Sequence, residues 1–204
     1  MNQTLVIVFA KNKLLGEVKT RLAKDIGASN ALLVYKRLLS ITEEATTDIE
    51  GIDLRVYYSH ELDETSWVGH VDKYVQFGDS LGDRMWNAFQ KGFDDGYQSI
   101  IGIGADLDQM DKETLQVAKE KLNKNDFVFG PAADGGYYLI GLNGVKGAYV
   151  FQNKPWSTSK LLELTLAEID AKDHKYELMD TRNDIDMIED LRLSTLADEF
   201  SVFL

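Results

Sequence analysis

From end to end, the chain alternates short apolar runs with segments of helical periodicity. LVIVFA (5–10), DLRVYYS (53–59), DKYVQF (72–77) and SIIGIGAD (99–106) read as strands. Residues 29–45 set Leu32, Tyr35 and Leu39 at helical spacing, and residues 80–95 set Met85, Phe89 and Phe93 four apart. Further helices are predicted at 111–124, capped by Asp111, at 157–170, capped by Ser157, and at 187–198. DFVFGPA (126–132) and GGYYLIGL (135–142) are adjacent strands joined through the turn-like PAADGG, and KYELMD (175–180) is the last strand. Such alternation implies an α/β fold with a mainly parallel sheet covered on both faces. The adjacent strands at 126–142 add an antiparallel or mixed part.

The 204 residues suit one domain, 1–204, which a two-lobed arrangement could also satisfy. No cysteine is present, which removes disulfides and thiolate metal sites and fits a reducing compartment. With three histidines there is no zinc constellation. LVIVFA lacks a basic flank and a small-residue cleavage site, and no apolar stretch approaches the ~18 residues of a membrane span. The expectation is a soluble cytoplasmic protein. A formal charge of −12 argues against nucleic-acid binding, though not against small phosphorylated ligands held in a local basic pocket.

In open α/β sheets ligands bind beyond the carboxyl ends of strands, so the residues following each strand matter most. After the first strand, FAKNKLLGEVKTRLAKD gathers Lys11, Lys13, Lys19, Arg21 and Lys24 around Gly16. After the fourth come Asp106 and Asp108, spaced D-x-D. Between the adjacent strands lies Asp134-Gly135-Gly136-Tyr137. After the last strand come Asp184 and Asp186, with Asp190 beyond. Each has an ordinary explanation: solvated cations, a chance pair among 34 acids, hairpin chemistry, or dipole partners of a helix. Together they describe a cleft with cations on one side and carboxylates on the other.

That arrangement suits a nucleoside diphosphate or triphosphate. Gly16 lets backbone approach phosphate, Lys19 supplies a point charge and Arg21 a forked donor. Asp106 and a later aspartate can hold Mg²⁺ or Mn²⁺ through hard oxygen ligands. The loop is neither a Walker A sequence nor the G-x-G-x-x-G dinucleotide fingerprint, and no G-x-S-x-G supports Ser–His catalysis. Ser80 and Asp83 have capping-box spacing, while Arg84 beside them could instead reach a nucleotide. Trp156 is either a sugar-stacking platform or buried core, and core is the favoured reading.

The blocks FAKNKLLGEVKTRLA (9–23), GDSLGDRM (78–85), IGIGADLDQM (101–110), FGPAADGGYYLIGL (129–142), PWS (155–157) and DIDMIEDL (184–191) resemble those of the DUF2064 family. These are small bacterial GT-A-like proteins regarded as glycosyltransferases, related to MobA-like and phospholactate guanylyltransferase-like nucleotidyltransferases. The resemblance implies a single GT-A domain, Rossmann-like, with a nucleotide-binding loop over Lys11 to Arg21, including Thr20. It implies a metal aspartate at Asp106 and a second metal or acid position at Asp186 or Asp184, with Asp186 preferred. Asp134 matches the acid of the DGGY motif, and Gly135, Gly136 and Tyr137 fall on the acceptor side. Two departures stand out. Lys13 and Leu15 replace family prolines, which should loosen the loop and add a cation. Asp108 replaces a proline and makes the segment look like a glycosyltransferase D-x-D.

The expected activity is metal-dependent transfer of a sugar from a nucleotide-diphospho-sugar to an unknown acceptor, with Asp134 as orienter or base near that acceptor. The alternatives are nucleotidyl transfer from a nucleoside triphosphate to a small phosphorylated acceptor, and nucleotide binding without catalysis.

Overall fold

The computed structural model describes residues 3–69 and 71–204. Seven strands form one sheet: β1 (Thr4–Ala10), β2 (Ile52–Tyr58), β3 (Asp72–Val75), β4 (Ser99–Gly104), β5 (Phe127–Pro131), β6 (Tyr137–Asn143) and β7 (Tyr176–Leu178). Their order is β3-β2-β1-β4-β6-β5-β7. Pairing is parallel between β1 and β2, β1 and β4, β2 and β3, and β5 and β7; β6 runs antiparallel to both of its neighbours, β4 and β5. The mixed, mainly parallel α/β sheet predicted above is therefore present, with its antiparallel part where the adjacent strands placed it.

Strand β1 shows why both faces need cover. Leu5 and Ile7 pack into one cluster and Val6, Val8 and Ala10 into another, the period-two signature of a strand buried on both sides. One face is covered by α2 (Ala28–Thr46) and α4 (Lys112–Leu122), through Tyr35, Leu39, Leu115 and Ala118. The other is covered by α3 (Leu81–Asp94), a 3₁₀ segment at Val145–Val150 and α5 (Leu161–Ala171), through Phe89, Val150 and Ile169. A third cluster joins α2 and the short α1 (Ala23–Ile26) to the carboxyl-terminal segment with α6 (Ile188–Leu193).

The predicted caps divide. Ser80 caps α3 in a full capping box, accepting from the Asp83 N–H, and Asp111 accepts from the Thr114 N–H at 2.7 Å. Ser157 caps nothing. It sits at φ 62, and α5 begins four residues later, after a turn in which the Leu161 N–H donates to the Thr158 carbonyl. The last helix is also shorter than predicted, because Ser194 turns extended behind it.

The segment after β1 is tied down rather than loosened. The Asn12 side chain donates to the Glu61 carbonyl at 2.8 Å and accepts from the His60 N–H at 2.8 Å. Lys13, expected as an added loop cation, pairs with Asp63 at 2.8 Å and donates to the hydroxyls of Thr65 and Ser66. Burial alone would raise the Asp63 carboxyl, but the bonds from Lys13 and Thr65 prevail and hold it at about 2.

Two stability predictions follow from this packing. Phe89 is fully buried, 5.0 Å from the Phe151 ring, and fills the space above Gly102. Phe89→Ala is expected to lower the unfolding free energy by about 4 kcal/mol in urea denaturation. Because the folded Asp63 carboxyl titrates below its unfolded counterpart, its contribution is present above roughly pH 4 and is lost as pH falls toward 2. Asp63→Asn should therefore cost about 2 kcal/mol at neutral pH and leave a shallower stability slope between those limits.

Candidate active site

Because β6 runs against its neighbours, the carboxyl ends of β1, β4 and β5 share one rim with the start of β6. A cavity of about 410 Å³ opens along that rim. From the β1 side its lining includes Lys11, Ser59 and Gln76; in the middle lies Asp106, and at the far side Asp134, Gly136, Tyr137, Trp156 and Asp184. With strands spaced ~4.8 Å apart, the three steps from β1 to β5 span roughly 14 Å.

Tyr35 sets the position of Lys11. Its hydroxyl accepts from the Lys11 N–H and donates to the Lys11 carbonyl, each at 2.8 Å. Burial, reinforced by the charge of Asp106, pushes that hydroxyl well above the usual tyrosine range, so it stays a donor. Nothing in the local sequence marks Tyr35 as part of a site; it belongs to the buried stripe of α2, and only the tertiary fold brings it beneath the loop.

The cations and carboxylates do not form two opposing walls. They touch. The Lys19 ammonium, only 5% exposed, lies 2.5 Å from the Asp106 carboxylate, which is 48% exposed to the cleft. Arg21 pairs with Asp186 at 2.9 Å, outside the cavity lining. Burial works to raise the Asp106 carboxyl, yet the charges of Lys19 and Lys11 win and keep it below the ordinary range. Lys19 itself takes φ 48, a left-handed backbone, which turns its side chain back under the loop. Gly16 and Thr20 are exposed and away from the cavity wall; Gly16 uses its freedom for φ 84, with open space where a Cβ would project.

Asp186, preferred above on the resemblance, and Asp184 are placed differently. Asp184 lines the cavity, whereas Asp186 is held by Arg21. Burial pushes the Asp184 carboxyl up, and the negative charges of Asp106 and Asp134 add to that push, so the three acids share one field. Asp108, of the D-x-D pair, lies outside the cavity lining. It is buried and accepts from the Thr195 N–H and hydroxyl at 2.7 and 2.8 Å, fastening the carboxyl-terminal segment.

The DGG turn is built by close approach. Asp134 accepts from the Gly136 N–H at 2.8 Å, an Asx turn. Gly135 takes φ 90, and a Cβ on it would stand 2.1 Å from the Ser159 carbonyl oxygen, so the segment carrying Trp156 packs directly on this turn. Gly135 itself lies behind the cavity wall. Arg84 lines the cavity and donates from Nε to the Gly78 carbonyl at 3.1 Å. Trp156, favoured as core in sequence, is half-buried and faces the cavity.

Asp106 and Asp184 give hard oxygen donors on one wall, while no group of three or more acidic or histidine side chains able to hold a metal ion occurs among the described residues. Two carboxylates with open positions suit Mg²⁺ or Mn²⁺, which keep waters and take phosphate oxygens to complete their shells.

A family model described as an uncharacterized protein conserved in bacteria (DUF2064) matches residues 42–158. No curated protein matches the chain. Among solved structures, a putative nucleotide-diphospho-sugar transferase from Desulfovibrio desulfuricans G20 aligns with a TM-score of 0.89 at 26% identity, covering 100% of this chain and 97% of that one. The 4-diphosphocytidyl-2C-methyl-D-erythritol synthase of Anaerococcus prevotii DSM 20548 aligns with a TM-score of 0.62 at 13% identity, covering 96% of each chain. Rv0371c of Mycobacterium tuberculosis H37Rv, in complex with manganese, aligns at 0.52 and 15% identity, covering 94% of this chain and 97% of that one. The fold is thus that of GT-A-like nucleotide-diphospho-sugar transferases, and the chain belongs to the DUF2064 family.

Proposed function

We propose that the protein is a divalent-metal-dependent transferase that moves a sugar from a nucleotide-diphospho-sugar to a separate acceptor. The observation that carries this reading is the single cavity joining Lys11, Asp106, Asp184 and Asp134 along one sheet rim. The full-length likeness to the Desulfovibrio desulfuricans protein supports it.

In this reading Lys11, fixed by Tyr35, neutralises the diphosphate, and Arg84 steadies the nucleotide from the α3 side. Asp106 and Asp184 would hold Mg²⁺ or Mn²⁺, which would supply positive charge to offset that of the departing diphosphate. Asp134, at the far end, orients the acceptor hydroxyl and takes its proton. Lys19 serves as the counterion of Asp106 until a metal–nucleotide complex supplies positive charge there. Arg21 does the same for Asp186. Gly16 and Thr20 shape the loop that carries these cations.

Nucleotidyl transfer is the second reading, favoured by the likeness to the diphosphocytidyl synthase across nearly the whole chain. The products separate the two: a nucleoside diphosphate is released in glycosyl transfer, pyrophosphate in nucleotidyl transfer. Binding without turnover marks a non-catalytic nucleotide-binding protein.

Two substitutions test the site by calorimetry with Mn²⁺. Asp106→Asn should abolish the Mn²⁺-dependent gain in nucleotide affinity, and should also lower stability by about 2 kcal/mol because buried Lys19 loses its counterion. An unchanged Mn²⁺-dependent gain would remove Asp106 as a ligand. Lys11→Ala should weaken a nucleoside diphosphate by about tenfold while sparing the nucleoside. An equal loss for both would end the phosphate role of Lys11.

A further inference from the structure

The lining cations of the cavity are Lys11, which follows β1, and Arg84 on α3, which donates to the Gly78 carbonyl. Around the turn before β6 the lining carries Asp134, Trp156 and Thr158. There the Asp134 carboxylate spends one oxygen on the Gly136 N–H, and its other oxygen has no hydrogen-bond partner among the described residues.

Trp156 is held at a fixed tilt. Its ring meets Tyr137 edge-on, with centroids 6.2 Å apart and planes at 71°. Behind it stands Gly82 on α3, where a Cβ would lie 2.7 Å from the indole Nε1 and 2.2 Å from the Phe151 carbonyl oxygen. The absence of a side chain at Gly82 thus lets the indole settle against the helix, and Tyr137 fixes its angle.

An oriented aromatic wall beside a free carboxylate oxygen and a threonine hydroxyl suits one ligand chemistry. It takes a neutral ring rich in hydroxyls, whose C–H surface lies on the aromatic face while the hydroxyls donate to the acceptors. We infer that the Trp156–Asp134 end of the cavity is the subsite for the neutral sugar ring of a nucleotide-diphospho-sugar, with Trp156 as its stacking face. The inference rests on the proposed function and sharpens it by naming the residue that would hold the sugar.

The test is calorimetry of the full chain with Mn²⁺, comparing UDP with UDP-glucose, GDP with GDP-mannose, and CTP. At least one nucleotide sugar should bind roughly fivefold tighter than its own diphosphate. Trp156→Ala should erase that difference and leave the diphosphate affinity unchanged, while Trp156→Phe should keep most of it. Thermal melting of each variant confirms that it is folded, and the phenylalanine variant keeps the comparison available should the alanine variant unfold. Equal binding of sugar and diphosphate by the unsubstituted protein, or equal losses for both ligands in either variant, overturns the subsite while leaving nucleotide binding intact. Failure of every nucleotide to bind overturns the proposed function, and the subsite with it.

Discussion

The contact between Lys19 and Asp106 joins the loop after β1 to the end of β4, and the rest of the rim is organised around it. An ammonium that is 5% exposed needs a counterion, because a buried unpaired charge is far more costly than a paired one. The left-handed backbone at Lys19 and the exposed bend at Gly16 become intelligible as the route by which the chain brings that ammonium under the loop. With the loop fixed there, and again at Asn12 and Lys13, Lys11 is left facing the cavity.

The clustering of cations in an acidic chain is resolved by this arrangement in an unexpected way. Of the five, Lys13, Lys19 and Arg21 are neutralised by Asp63, Asp106 and Asp186. They fasten the loop to three separate regions of the molecule. The positive field available to a ligand is consequently narrower than a count of basic residues implies. It is centred on Lys11, with Arg84 beside it.

Much of the fold was legible because β1, β4 and β5 are buried on both faces, and such strands announce themselves as uninterrupted apolar runs. Ser80 and Asp111 were legible as caps because the bonds they make are local. Ser157 misled because the same residue type also sits in tight turns, and here it takes a left-handed backbone ahead of the helix. Asp106 and Asp134 could be singled out because they end or join strands. Tyr35 could not, since it looks like any other apolar-face residue of a helix and gains its role from a contact 24 positions away. The different placement of Asp184 and Asp186 was likewise beyond local sequence, because Asp186 is held by Arg21, 165 positions away.

The reversed direction of β6 separates two jobs that most parallel sheets combine. Its pairing with β4 and β5 secures the middle of the molecule, while the turn that feeds it, residues 132–136, hangs over the cleft. Residues added to or removed from that turn would remodel the cavity lining around Asp134 and Gly136 without shifting any strand register. One hairpin can thus be recut while Lys11 and the fastened loop after β1 stay where they are.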